Sequence, residues 1–224
     1  MNDFKKETYS EKVANYIKVR ILNGNLSPGD PIKETDIASQ LSISRAPVRE
    51  AMLILLREGL IEIHPQRGKK VTSLSAKQIK NSYFTGGVLE AAAVAQAIER
   101  YTDKDIAQLD GIISKMKQVA DKNGSVSDQA PLDKAFHDLL FSRIDNELIV
   151  ELCRRTCQGI SKFLLYRQWV KLFPAIKVYE RHKEIVDALK TKDPQVIEVV
   201  IRNHYVESGE RMSVFGADMS KDEN

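Results

Sequence analysis

The chain is short of several things, and each shortage removes a class of protein. It has two cysteines in 224 residues, Cys153 and Cys157. They lie four apart in a helical pattern, where a disulfide would be awkward and would join nothing distant, so they read as buried thiols. No window approaches the roughly 18–20 apolar residues of a membrane span. The opening Met1-Asn2-Asp3-Phe4-Lys5-Lys6-Glu7 has no apolar run behind it, which argues against a signal peptide. The expectation is a soluble, cytoplasmic chain with no membrane partner. Net charge is small as well, at +3, but it is unevenly spread. Residues 1–72 hold 12 Lys and Arg against 9 Asp and Glu, which leaves 22 against 22 for residues 73–224. The whole positive excess sits in the first third, where a nucleic-acid partner would look for it.

What the chain does have is enough apolar material, 42%, to build one large or two modest cores. The stretch that organises the first third runs from Leu41 to Ile61. Ser44 suits an N-cap, and Pro47 falls in the first turn, where its missing N–H costs little. Val48, Ala51, Met52, Leu55 and Leu56 recur at helical spacing and form one buried face. Gly59 closes the helix as a C′ residue. Arg45 and Arg49 share a different face at the leading end, where cations oppose the helix dipole. Something anionic outside the chain is the better reason for them, and the helix reads as one that recognises DNA.

Its neighbours fit that reading. Residues 8–23 carry Val13, Tyr16, Ile17, Ile21 and Leu22 on one stripe, with Gly24 after it. Leu26-Ser27-Pro28-Gly29-Asp30 is turn chemistry, and Ile32 falls in a very short extended piece. Thr35 can cap a second helix, Asp36–Leu41, so two short helices joined by a tight turn make a helix-turn-helix. After Gly59 the apolar period changes to two through Leu60, Ile61 and Ile63. His64-Pro65-Gln66-Arg67-Gly68-Lys69-Lys70 and Val71-Thr72 then make a β-hairpin with a basic tip, the wing of a winged helix. Glycine there lets backbone approach phosphate, while Arg67, Lys69 and Lys70 supply counter-charge.

From Ser75 the pattern is helical with no strand signal. Helices are expected over 76–100, 103–121, 131–143, 146–170, 174–190 and 194–213, with a loop over 121–130 and a frayed tail over 216–224. Thr102 with Asp105 has the form of a capping box, and Asp193-Pro194 that of an N-cap followed by N1 proline. Gly86-Gly87 should weaken the first long helix by roughly 1 kcal/mol per glycine. The fold class expected is mainly α: a winged helix-turn-helix over 1–74, then an all-α bundle of six, or seven, helices over 75–215.

Three of the four histidines fall in this bundle. Asp133 and His137 are one turn apart on one helix face, a spacing that suits two ligands of one cation. His182 and His204 lie on separate helices, each flanked by residues of a buried stripe. Singly, each imidazole reads equally as a core or surface histidine, and geometry is not visible in sequence. Arg154, Gln158, Ser161 and Leu165 recur on one face of the expected 146–170 helix, and the first two could orient an anion or simply be solvated.

Two families resemble these patterns. Pro28-Gly29, Glu34, Ser44-Arg45-Ala46-Pro47-Val48-Arg49-Glu50-Ala51, Glu58-Gly59-Leu60-Ile61 and Arg67-Gly68-Lys69-Lys70-Val71 resemble the GntR family of bacterial transcription regulators over about residues 8–72. That resemblance implies operator contacts from Ser44, Arg45 and Arg49, with Gly68 at the wing tip. The candidate DNA-facing set is Thr35, Ser44, Arg45, Pro47, Arg49, Arg67, Gly68 and Lys69. Thr35 stands where many relatives carry a basic residue, so that contact is lost or becomes a hydroxyl to phosphate. Asp133, His137, Asn146, His182 with Ile185 and Ala188, Asp193 and His204 resemble the FCD domain attached to many such regulators. There an Asp and three His hold a divalent metal, and small carboxylate effectors complete its coordination. The set Asp133, His137, His182 and His204 suits Zn²⁺ or Ni²⁺, with Mn²⁺ or Fe²⁺ also compatible. Three neutral imidazoles and one carboxylate would leave the ion with a net positive charge that favours an anion. An arginine common in the family's first bundle helix is missing at Gly86-Gly87, and the short bundle resembles the vanillate-regulator branch.

The function expected is a homodimeric, metabolite-responsive regulator that binds a palindromic operator, more readily a repressor than an activator. A metal-dependent enzyme fused to a DNA-binding module is the competing reading, weakened by the lack of a placed general base. A purely structural bundle with core histidines is the third.

Overall fold

The computed structural model describes residues 7–66, 68–156 and 161–219. Arg67, Cys157 and Gln158 therefore lie outside the described residues, as do the last five positions of the tail. The chain divides into two compact units, Met1–Leu74 and Ser75–Asn224.

In the first unit, α1 (Tyr9–Leu22) starts at a reciprocal capping box between Thr8 and Glu11 and buries Val13, Ala14, Ile17 and Ile21. α2 spans Glu34–Leu41 with Lys33, not Thr35, at its N-cap. Thr35 lies inside the first turn and its hydroxyl donates to Asp36 Oδ1 at 3.0 Å. Ser42 adopts φ +53° in the turn that follows. α3 (Arg45–Arg57) starts where expected, with Ser44 in extended backbone, but the Ser44 hydroxyl makes no capping bond. Val48, Ala51, Met52 and Leu55 are fully buried, and Leu56 is half-buried. Burial of each large side chain contributes about 1.5–3 kcal/mol, so this one face fixes which side of α3 points outward. Gly59 takes φ +74°, the left-handed turn that a C′ glycine permits.

The wing is an antiparallel pair, β1 (Ile61–His64) with β2 (Gly68–Val71), in the register Ile61↔Val71 to His64↔Gly68. Pro31 bridges to Lys70, and the Ile32 N–H donates to Lys69 O at 2.9 Å, so the short extended piece before α2 lines the wing's other edge.

In the second unit, α4 (Ala76–Gln96) is followed by a 3₁₀ turn, Ile98–Arg100, where one continuous helix was expected. α4 runs unbroken through Gly86 and Gly87, both of which are buried. A Cβ on Gly87 would stand 2.6 Å from Tyr205 Cβ, and one on Gly209 would stand 2.9 Å from Tyr83 Cβ. Each glycine thus receives a tyrosine of the opposite helix, which lets α4 lie close along α11 (Pro194–Met212). The helix cost of the glycines is offset by that close approach.

α5 (Asp103–Asp121) carries the expected Thr102–Asp105 capping box. The expected loop to Ala130 is largely wrong. α6 runs Val126–Phe141 and is opened by a Ser125–Asp128 capping box, so Pro131 lies inside it. Gln129, fully buried, donates from Nε2 to Met116 O at 2.9 Å and Ala175 O at 3.2 Å, tying α6 to α5 and to the start of α10. The expected 146–170 helix is also corrected. Its described parts are α7 (Glu147–Arg155), α8 (Ser161–Leu164) and α9 (Tyr166–Leu172), with a turn at Leu165 between the last two, and residues 157–160 lie outside the described residues. α10 (Ala175–Thr191) packs against α5, and α11 starts at Asp193 with Pro194 in first position. Past α11, Ser213–Phe215 forms a 3₁₀ turn, and Asp218 Oδ1 accepts from the Ala76 N–H at 2.6 Å.

Candidate DNA-reading face and metal centre

Because α3 buries Val48, Met52 and Leu55, its first two turns present Arg45 and Arg49 to solvent, with side chains 59% and 64% exposed. Thr35, Ser44 and Gly68 are exposed as well, and Pro47 is half-buried at the start of α3. What the sequence reading missed is how these cations are held. Glu34, at the start of α2 and mostly buried, places Oε2 3.6 Å from Arg45 Nη2 and 3.5 Å from Arg49 Nε. Its Oε1 accepts from Lys69 Nζ of the wing at 2.9 Å. Lys69 in particular, with support from burial-opposed attraction to Arg49, holds the Glu34 carboxyl below its usual value. One carboxylate therefore sets the spacing of two helix arginines and one wing lysine. A signal was present, since Glu34 is an acid within a face otherwise made of cations.

In the second unit α6, α10 and α11 bring His137, His182 and His204 together, each offering a ring nitrogen within 4.8 Å of the others. Asp133, one turn before His137, places Oδ1 3.3 Å from His182 Nε2. The three histidines thus converge although they come from three helices, and Asp133 reaches the group through His182.

Hydrogen bonds fix which nitrogen each ring presents. His182 Nδ1 faces Val178 O at 2.7 Å and must donate to it, which leaves Nε2 as a lone pair. Burial lowers the pKa of His182, keeping it neutral. Nε2 is buried without a hydrogen-bond partner and has a carboxylate oxygen in front of it. Two acceptors face each other there, an arrangement that a cation between them would satisfy. His204 Nδ1 is likewise buried and unpartnered among the described residues. Burial first, and then the Arg181 guanidinium, holds the His204 pKa well below its usual value. His137 Nδ1 lies 2.9 Å from Glu90 Oε1, so its Nε2 is the free end. Burial pulls His137 down, but the Glu90 carboxylate outweighs it and leaves the ring raised. The donors present therefore fit a divalent ion, with nitrogen ligands oriented by backbone and carboxylate partners.

Glu90, fully buried on α4, was not anticipated as part of the site. Its other oxygen accepts from Tyr205 OH at 2.6 Å. Tyr205 is the residue seated against Gly87, so the glycine that looked like a helix defect positions the phenol that holds Glu90, which in turn orients His137. A carboxylate on the buried stripe Ile79, Tyr83, Gly87, Val94 was the available clue.

Asp133, His137, His182 and His204 border one cavity with Lys162 and Arg181, walled on its apolar side by Trp169 and Phe173. Lys162 Nζ pairs with Asp133 Oδ2. The expected effector contact at Arg154 is not placed there. Arg154 pairs with Asp138 at 3.4 Å and lies over the Phe141 ring, and it does not border the cavity. Among the described residues no helix is long and apolar enough to cross a membrane.

A winged helix with outward cations, carried on the same chain as a helical unit with a buried polar cavity, is the architecture of a DNA-binding regulator. Comparisons with known proteins agree. The FCD domain family matches residues 83–207, and the family described as bacterial regulatory proteins, gntR family, matches residues 9–71. The HTH-type transcriptional repressor RspR of Escherichia coli (strain K12) is 26% identical over 201 residues, 90% of this chain and 87% of that protein. The Nta operon transcriptional regulator of Aminobacter aminovorans is 30% identical over 164 residues, 72% of this chain and 74% of that protein. A crystal structure of a GntR transcriptional regulator from Rhodococcus sp. RHA1 superposes with a TM-score of 0.66 at 24% identity, covering 91% of this chain and 96% of that one, which shows a shared fold. The chain belongs to the GntR family of transcription regulators, in the group that carries an FCD domain. It is a DNA-binding regulator and not an enzyme.

Proposed function

We propose that the chain acts as a homodimeric repressor of a palindromic operator and responds to a small carboxylate bound at a divalent metal. The observation that carries this reading is the meeting of three buried imidazoles, with His182 Nε2 and an Asp133 carboxylate oxygen left facing each other at 3.3 Å. Asp133, His137, His182 and His204 would hold the ion, Zn²⁺ or Ni²⁺ by donor type, with Mn²⁺ and Fe²⁺ as weaker fits. When bound, it would supply a fixed positive charge at the cavity floor. Glu90 orients the His137 ring, and Val178 O orients His182.

On the DNA side, Arg45 and Arg49 would read base edges in the major groove, with Arg able to pair a guanine bidentately. Ser44, Thr35 and Pro47 would lie along the backbone at the helix start. Gly68, Lys69 and Arg67 would bring the wing to phosphate. Two such reading heads related by a dimer axis call for a two-fold symmetric site. Carboxylate binding would change the separation of the heads through residues 73–76, by as much as its affinity differs between the two states.

Selection of operators from random double-stranded DNA by the full chain tests this reading. A palindrome whose occupancy changes when Zn²⁺ and a carboxylate panel are added together is the expected result. An asymmetric single site, indifferent to both, would overturn it.

A further inference from the structure

Two cations border the cavity, and they are held in different ways. Arg181 is anchored away from Asp133: Nη2 donates to His204 O and to Ser208 Oγ at 2.8 Å, and Nε stands 3.2 Å from Glu207 without hydrogen-bonding it. Lys162 has two neighbours, Asp133 Oδ2 and the face of Trp169, whose ring centre is 4.8 Å from Nζ. Asp133 is the one carboxylate bordering the cavity among the described residues. It is also the ligand a divalent ion needs. Lys162 and a metal therefore make competing demands on the same group.

We propose that Lys162 is the effector-pairing residue of this site, resting on Asp133 while the site is empty and turning to a bound carboxylate once Asp133 ligates a cation. The proposal rests on the metal-centre reading above. Its physical basis is the cost of an unpaired, mostly buried charge: with Asp133 committed to a metal, the ammonium, 20% exposed in a partly open cavity, loses its counter-ion. The face of Trp169 keeps the ammonium in the cavity instead of letting it swing to solvent. A carboxylate with one oxygen toward the metal and another toward Lys162 restores the pairing. Metal and carboxylate should then favour each other's binding, and by linkage the coupling must be the same in both directions. The ligand class this selects is a compact carboxylate with at least two acceptor oxygens; an uncharged sugar would leave Lys162 unpaired.

The test uses the full chain, with Zn²⁺ and acetate as probes. Zn²⁺ affinity is measured by competition with a coloured chelator, with and without acetate. Emission of Trp169, the only tryptophan in the sequence, reports the ammonium leaving its ring. In the unaltered protein acetate should tighten Zn²⁺ binding by at least about fivefold. Lys162→Met removes the competitor, so Zn²⁺ alone should bind about tenfold more tightly while the acetate effect disappears. Lys162→Arg should keep the acetate effect. Retained acetate coupling in Lys162→Met, with unchanged Zn²⁺ affinity, overturns the proposal while leaving the metal centre intact. Loss of both Zn²⁺ and acetate binding in Lys162→Met, with normal thermal unfolding, overturns it too, because the lysine would then be building the site. If the unaltered chain binds no Zn²⁺, or if His182→Ala binds it equally well, the underlying metal reading fails instead.

Discussion

Arg45 and Arg49 stand on consecutive turns of one helix with most of their side chains in solvent, and Glu34 sets their spacing. In the other unit, three imidazoles come from three helices and meet in a buried cavity, and one of them, His137, is oriented by a carboxylate from a fourth helix. The first arrangement is local: its register follows from the buried face of α3, and Glu34 links its two arginines to Lys69 directly. The second is cooperative, because Gly87 seats Tyr205, Tyr205 holds Glu90, and Glu90 turns His137. Substitutions should therefore couple through one shared partner, Glu34, in the first unit and through longer chains of contacts in the other.

The sharpest break of this contrast is expected at the centre. His182→Ala should lower Zn²⁺ affinity more than about 100-fold, beyond the 10–100-fold typical of oriented second partners, with operator affinity in the absence of metal unchanged; chelator competition and DNA anisotropy read the two. Arg49→Ala should weaken operator binding by about 1–3 kcal/mol and relax sequence preference, without changing Zn²⁺ affinity. Glu90→Gln, with no contact to DNA, should weaken Zn²⁺ binding about 10–100-fold. Gly87→Ala should destabilise the chain by about 1–3 kcal/mol in thermal unfolding, because its Cβ meets Tyr205 in a close-packed pair of helices. A smaller effect belongs to neither function. Arg143 pairs with buried Asp105 at 2.6 Å and, as the main cause, holds its pKa below the usual carboxylate value. That contribution is present above the unfolded pKa of about 3.9 and fades as pH falls through the folded value. Arg143→Ala should then lower the midpoint of thermal unfolding slightly near pH 7, and progressively less in acid.

These differences also explain what could be read from residues alone. The winged helix was legible because each of its parts is contiguous: the apolar face of α3, the left-handed Gly59, and the period-two wing with Gly68 at its turn. Thr35 was misplaced by two residues because a cap depends on where the preceding chain bends, and Lys33 takes that place. In the bundle, the Asp133–His137 pair showed because it is one helical turn long. His182 and His204 could be flagged, but only the packing of α6, α10 and α11 brings them into reach. Glu90, Tyr205 and Lys162 were invisible as site residues because their meaning comes from partners 47 to 115 positions away or across a helix break. The loop over 121–130 failed for a local reason: Ser125 and Asp128 look like turn residues, yet three apart they open a helix.

Metal content of the full chain, purified without chelator and compared with His182→Ala under identical conditions, tests the account most directly. The arrangement of Asp133, His137, His182 and His204 predicts about one divalent ion per chain in the unaltered protein and close to none in the variant. A stoichiometry near zero in the unaltered protein would contradict it and return the three histidines to the role of core residues.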